Sequence, residues 1–231
     1  MTADRSQPLE VWKFGGASLA DGQAIRRAAA RIAAHQGPLV LVASALGGIT
    51  DLLLEGATHA VEGRADAAAR VASVFRDRHR TAAAVAIGRG RALAAVHKAI
   101  DASAEEYREL CRAVAVLRHI EPRTRDALVA RGERLAASLL SAALVVAGRP
   151  ATLVDALDLV HTDDGHGGAV PLLAETTRLA SRVLKPLLTK GLVPVVPGFI
   201  GRAPDGSVAT LGRGGSDLTA TLLGRGLGAR R

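Results

Sequence analysis

The apolar positions of the first fifty residues change rhythm three times. PLEVWKF (8–14) alternates loosely between apolar and polar positions over the length of a short strand. GQAIRRAAARIAAHQ (22–36) places Ile and Ala at three- and four-residue intervals, the spacing of a helix with one buried face, until Gly37 and Pro38 stop it. Asp21 stands where that helix needs an N-cap. PLVLVASA (38–45) is apolar almost without a break, which is how a strand buried on both faces reads. Strand, helix and strand in this order make a βαβ unit, whose crossover requires parallel pairing.

From 51 to 148 the pattern is nearly all helical, with breaks at Gly88 to Gly90 and at Glu121-Pro122. It predicts a helical subregion laid over one side of a sheet. Strand signals return at ATLVDA (151–156) and DLVHT (158–162). A helix is expected over LLAETTRLASRVLKPLLTK (172–190), interrupted or kinked near Pro186. LVPVVPGFIG (192–201) reads as another strand, and APDGSVATL (203–211) as a hairpin return through Asp205-Gly206. A last helix is expected from about Ser216 to Leu227. Parallel-type strands alternating with helices predict an α/β fold, a three-layer αβα sandwich with a mainly parallel sheet.

Composition narrows the partners. With 231 residues, 48% of them hydrophobic, the chain can bury a sizeable core, and aromatics at 2% make that core aliphatic. The net charge is +8 and the sequence pI about 10.8. The positive charge is nearly all arginine scattered through Ala-rich helices, with lysine only at Lys13, Lys98, Lys185 and Lys190. No basic run interleaves with aromatics, so no nucleic-acid partner is expected. The single cysteine, Cys111, sits in a helical pattern as a small buried hydrophobe and excludes a disulfide framework. No signal-type apolar segment follows Met1 and no run reaches the roughly 18 residues of a membrane span, so the expectation is a cytoplasmic chain with no membrane partner.

The candidate chemistry lies in three glycine-rich turns at strand ends, where ligands bind in open α/β sheets. In KFGGAS, Lys13 closes a strand and Gly15-Gly16 let an anion approach backbone N–H groups with no Cβ in the way. A lysine at the end of a buried strand is costly unless its ammonium meets a counter-charge, which a phosphate would supply. In SALGGITD (44–51), Ser44 ends a strand and Gly47-Gly48 lead to a helix that Thr50 or Asp51 would cap; an ordinary strand-to-helix connection reads the same way. In GRGGSD (212–217), two glycines precede Ser216 at an expected N-cap, so free N–H groups and a positive helix end would face one cleft. None of the three is a Walker A loop, and Gly212, Gly214 and Asp217 miss the dinucleotide fingerprint at its third glycine. The loop HTDDGHGG offers His161, Asp163, Asp164 and His166, but a Gly-rich polar stretch after a strand reads as a loop, and no metal site is assigned.

KFGGAS, VASALGGITDLL, ARGERLAASLLSAAL and VPGFIGRAPDGSVATLGRGGSDLTA, in that order and over nearly the whole chain, resemble the aspartate kinases of the amino-acid kinase family. KFGGASLAD is also similar to the opening of aspartate kinases fused to homoserine dehydrogenase. The resemblance implies ATP-dependent phosphorylation of L-aspartate to 4-phospho-L-aspartate, the first step toward lysine, threonine and methionine, with ATP as co-substrate and Mg2+. It implies that Lys13 contacts the ATP phosphates and stabilises the transferring phosphoryl group, with Gly15, Gly16 and Ser18 in the same loop and Gly214 and Gly215 at the phosphates. Glu133 would hold the substrate's amino group, Arg213 a substrate carboxylate with Ser216 nearby, and Asp217 would order Lys13. Thr50 would lie at the aspartate site, and the full-length enzyme would be a homo-oligomer.

The chemistry is coherent on its own terms. Phosphoryl transfer is mostly positioning and charge stabilisation, and a carboxylate nucleophile is already ionised at neutral pH, so no general base is needed. Plainer readings of the same residues stand beside it. Glu133 could be a surface carboxylate paired with Arg131 or its neighbours, Arg213 a solvated arginine, and Asp217 a first-turn carboxylate serving a helix dipole. Ala17 stands where the family has Thr or Ser, which removes a hydroxyl from the phosphate loop but leaves its backbone. In the family the segment that binds adenine, with a second basic residue, follows the GRGGSD helix, whereas this sequence ends at Arg231. The expectation is therefore a single domain over 1–231, the N-terminal portion of a kinase domain without the adenine half, the ACT regulatory domains or a dehydrogenase. Such a chain would keep the aspartate pocket and bind ATP poorly. Two other functions fit the pattern: another amino-acid kinase acting on a carboxylate or carbamate, and a non-catalytic amino-acid-binding subunit of a split enzyme.

Overall fold

A computed structural model describes residues 7–230; the first six residues and Arg231 of the expected domain lie outside it. In chain order the elements are β1 (Glu10–Phe14), α1 (Gly22–Ala34), β2 (Leu39–Ala43), α2 (Ile49–Val61), α3 (Ala65–Ile87), α4 (Arg91–Leu117), α5 (Pro122–Val146), β3 (Ala151–Leu153), α6 (Leu173–Thr189), β4 (Val193–Pro197), β5 (Ile200–Arg202), β6 (Val208–Thr210) and α7 (Gly215–Leu227). Short 3-10 turns at Gly16–Leu19 and Ala156–Asp158 complete the order.

One sheet runs β1-β2-β4-β3, and every neighbouring pair in it is parallel. β2 and β4, its two central strands, are buried at all positions, which their unbroken apolar runs require. Side chains alternate across the sheet. Leu39, Leu41 and Ala43 enter one core with Ile25 and Ile32 of α1, Leu53 of α2, Phe75 of α3, Tyr107 of α4 and Leu139 of α5. Val40 and Val42 enter a second core with Leu184 of α6 and Leu223 of α7. The result is the three-layer αβα sandwich, with each fully buried Leu or Val worth about 1.5–3 kcal/mol.

Parallel register sets the position of the site. Phe14, Ala43 and Pro197 end their strands side by side. Ser44 N–H donates to the Phe14 carbonyl at 2.9 Å and Gly198 N–H to the Ala43 carbonyl at 2.8 Å, so the chain segments leaving β2 and β4 start from fixed neighbours. Asp21 caps α1 as the sequence requires, its carboxylate accepting from Ala24 N–H at 2.8 Å. The hairpin through Asp205-Gly206 is present as the antiparallel pair β5 and β6.

Four expected elements differ, the first being LVPVVPGFIG, which divides at Gly198-Phe199 into β4 and β5 of different sheets. DLVHT is not a strand: the Asp155 carboxylate accepts from Leu157 N–H at 3.1 Å, turning the chain into the 3-10 turn, and only isolated bridges follow at His161 and Thr162. ATLVDA is strand only over Ala151–Leu153. α6 continues through Pro186 to Thr189.

The helical layer holds one close approach that can be tested. Tyr107 is fully buried and donates its hydroxyl to the Leu53 carbonyl at 2.8 Å. A Cβ on Gly56 would overlap that hydroxyl and lie 2.8 Å from Val71 Cγ1. Gly56→Ala should therefore lower stability by about 1–3 kcal/mol, and Tyr107→Phe by about 1 kcal/mol. Because the second change removes the atom that the first one strikes, the double variant in urea melts should lose less than the sum of the two.

Candidate active site

A cleft of about 350 Å3 opens where β1, β2 and β4 end, and the three glycine-rich turns form its walls. Lys13 is the fourth residue of β1 and shares a strand face with Val11, the face packed against α7. Its ammonium therefore reaches the first turn of α7, where it pairs with Asp217 at 3.1 Å to one carboxylate oxygen and 3.3 Å to the other. The same ammonium lies over Gly15, whose Cβ would stand 3.4 Å from it.

The first two turns touch backbone to backbone. A Cβ on Gly16 would lie 3.3 Å from the Ala45 carbonyl, and one on Gly47 would lie 3.3 Å from the Gly16 carbonyl. Arg78 of α3 ties the second turn down by donating to the Gly47 carbonyl at 2.6 Å. The turn ends at Gly48, which is left-handed at φ 73° and is itself the N-cap of α2. The third turn repeats the device: Gly214, at φ 76°, caps α7. Neither helix end is closed by a side chain, so both positive ends face the cleft. This corrects the expected caps, since Thr50, Asp51 and Ser216 all lie inside the first turns of their helices. The left-handed cap conformation that starts each helix favours glycine and removes the need for a hydroxyl or carboxylate there.

Glu133 comes from α5, and Gly132 makes its position possible. A Cβ on Gly132 would stand 2.9 Å from Ala45 Cβ and 3.0 Å from Ile49 Cγ2, so only glycine lets the helix lie this close to the second turn. The glutamate is 4% exposed, and its Oε2 is buried with no hydrogen-bond partner. Burial pushes its pKa up from 4.5 to about 7, against backbone hydrogen bonds at Glu133 and Ala45 that pull it down. Arg131 pairs instead with Glu106 at 2.7 Å and Arg134 with Asp155 at 3.5 Å. Glu133 is therefore no surface ion-pair partner but a desolvated carboxylate at the cleft wall with no cation partner among the described residues.

Lys13, Gly16, Thr50, Glu133, Arg213, Gly214, Gly215, Ser216 and Asp217 all line this cleft. Arg213 and Asp217 are exposed to it, while Ser216 is buried against Gly198, where a Cβ would come within 2.7 Å of the serine Cβ. Gly15 sits just beneath the Lys13 ammonium, and Ser18, exposed in the 3-10 turn, is not among the lining residues. His161, Asp163 and His166 of the HTDDGHGG loop are used within the fold. His161 pairs with Glu175 at 3.1 Å, Asp163 accepts from Gly165 and Val170 N–H groups, and His166 bonds Asp126 at 3.0 Å.

Sequence reading missed Phe199. It has φ 69°, a left-handed backbone that a bulky side chain rarely adopts. Its N–H donates to Thr219 Oγ1 at 3.2 Å, its carbonyl accepts from Leu211 N–H at 2.8 Å, and a Cβ on Gly215 would press to 2.8 Å from its ring. Held in this way, Phe199 walls the cleft at the Pro197-Gly198 exit from β4. The break in apolar periodicity at Pro197-Gly198-Phe199 is the one sequence signal for it.

Fold and site together define a three-layer αβα protein with a cleft built from glycine turns and two helix N-termini, outside the Walker class. The chain belongs to the amino acid kinase family, whose model matches residues 8–231. It is 34% identical over 228 residues to aspartokinase 1 of Arabidopsis thaliana, a match that covers 95% of this chain and 38% of that protein. Escherichia coli aspartokinase III in complex with lysine and aspartate superposes with a TM-score of 0.85 at 32% identity, over 96% of this chain and 48% of that one. The same enzyme with aspartate and ADP superposes at 0.80 and 31% identity, over 97% and 48%. The chain thus spans less than half the length of these relatives.

The raised Glu133 pKa gives stability a pH dependence of defined sign. Between 4.5 and about 7 the folded chain holds a proton that the unfolded chain has lost, so stability falls as pH rises through that window. The loss from this group should be roughly 3 kcal/mol at most, and it should be complete above the folded pKa. Glu133→Gln should flatten that decline in urea melts taken from pH 4.5 to 8, leaving the variant more stable than the parent at pH 8.

Proposed function

We propose that this chain forms the amino-acid and phosphate site of an aspartate kinase, which transfers the γ-phosphoryl group of ATP to the side-chain carboxylate of L-aspartate. The observation that carries this reading is that one cleft is lined by a buried carboxylate, Glu133, and an exposed arginine, Arg213, neither of which has an ion-pair partner among the described residues. Glu133 takes the substrate ammonium and Arg213 takes its α-carboxylate, a combination that selects an amino-acid zwitterion. Its relatives include the E. coli enzyme solved with aspartate and with ADP, which supports the choice of both substrates.

The chemistry asks little else of the protein. A side-chain oxygen of the substrate attacks the γ-phosphorus, the bond to the bridging oxygen breaks, and ADP leaves with the electron pair. No proton moves, so no general base is required. Lys13, aimed by Asp217, stabilises the negative charge on the transferring group. Gly15 and Gly16 give the phosphates access to backbone, with Ser18 in the same turn, and Gly214 and Gly215 present the positive end of α7. Ser216 and Thr50 border the substrate carboxylates. Among the described residues no three His, Cys, Asp or Glu side chains gather as a metal site. Mg2+ on this reading is carried by the nucleotide phosphates, where it offsets their charge.

Binding should release a proton, because an ammonium placed against Glu133 restores its ionised form. Titration calorimetry at pH 6 in buffers of different ionisation enthalpy should show about one proton released per L-aspartate bound. Glu133→Gln should abolish the release and weaken binding by about tenfold or more, and succinate, which has no ammonium, should bind weakly and release none. L-aspartate binding without proton release, or no preference over succinate, would overturn the reading.

A further inference from the structure

Asp126 lies on α5 seven residues before Glu133, so the two carboxylates share a helix face about 10 Å apart. It is 2% exposed, and nothing in the chemistry above uses it. Its carboxylate accepts hydrogen bonds from four donors. Oδ1 takes the Thr210 hydroxyl at 2.6 Å. Oδ2 takes Thr210 N–H, Gly167 N–H and His166 Nδ1, each at 3.0 Å. Because both backbone donors need an acceptor, His166 donates from Nδ1 as well, and the carboxylate is fully occupied.

Thr210 is the last residue of β6, and the turn that carries Arg213 and Asp217 begins at the next position. Leu211 N–H then donates to the Phe199 carbonyl at 2.8 Å. Asp126 and Phe199 therefore hold the root of the third turn at two consecutive residues. Gly167 packs at the same place, its carbonyl 3.5 Å from where a Cβ on Gly212 would stand. One carboxylate thus fixes to α5 both the root of the third turn and the loop lying on it. Burying a charged group is expensive, and four donors converging on one buried carboxylate indicate a demand for geometry.

We propose that Asp126 is a positioning residue that sets the distance between Glu133 and Arg213, and so the length of amino acid that the cleft accepts. The proposal rests on the reading of Glu133 and Arg213 as the two ends of the substrate site. The third turn hangs from β6, whose pairing is confined to the short hairpin with β5. Besides Asp126, the described polar contacts tie that hairpin to the helix bearing Glu133 through the exposed Arg123–Asp205 ion pair at 2.8 Å, which lies at the far turn of the hairpin and not at the root of the third turn.

The test uses Asp126→Ala, Thr210→Val and Thr210→Ser in the 231-residue chain. Thr210→Val removes only the 2.6 Å contact and guards against a failure to fold in the alanine variant. Amide hydrogen exchange over 211–217 should accelerate about tenfold or more in Asp126→Ala and Thr210→Val, with α1 unchanged, and L-aspartate affinity should fall about tenfold. Thr210→Ser should restore both to within about twofold. Parental exchange over 211–217 in both disruptive variants would overturn the proposal, as would acceleration spread equally over α1. The exchange measurement needs no ligand, so it decides the role of Asp126 even if the parent chain binds no L-aspartate, an outcome that would sink the functional reading instead.

Discussion

Glu133 is taken out of water with one oxygen unpartnered and no cation beside it among the described residues, an arrangement that costs free energy. It is possible only because Gly132 lets α5 lie against Ala45 and Ile49 with no side chain between them. That close approach decides where the helical layer sits relative to the sheet, how narrow the cleft is, and which ligand can enter it. A ligand ammonium is the simplest group that would return what burial has cost.

The other walls follow from strand placement. β1 and β2 end in register and deliver the first two turns, β4 ends beside them, and the third turn reaches the same cleft from β6 of the hairpin, while the period of two along β1 sends Lys13 to the α7 side, where Asp217 waits. Glycine then does two separate jobs. At Gly16 and Gly47 it lets the turns touch through their backbones, and at Gly48 and Gly214 it starts a helix from a left-handed cap that leaves the positive end open. The site is thus made largely of backbone, with few side chains carrying charge, which suits a reaction governed by positioning and electrostatics.

Much of this was legible along the chain. The βαβ opening, the unbroken strands, the Asp21 cap and the hairpin are local signals, written within a few residues of where they act. The three turns could be read as a set because each follows a strand; the first two leave neighbouring strands of the parallel sheet, whereas the third leaves β6 of the hairpin and meets them at the cleft. What failed was also local, since DLVHT has strand composition, but Asp155 bends the chain before pairing can start. The N-caps were misplaced because a left-handed glycine can do the work of a polar cap, and sequence shows only the polar candidates. Asp126 and Phe199 were hidden for a different reason. Asp126 meets His166 and Thr210 across 40 and 84 positions, and the strain at Phe199 is a backbone angle with no composition signal.

The most direct measurement is a crystal structure of this chain with L-aspartate and an ATP analogue that cannot transfer its phosphoryl group. The amino group should lie within hydrogen-bond reach of Glu133, a substrate carboxylate on Arg213, and any phosphate seen at the Lys13 ammonium between the first and third turns. An amino acid bound elsewhere, or one seated in the cleft with Glu133 still unpartnered, would contradict it.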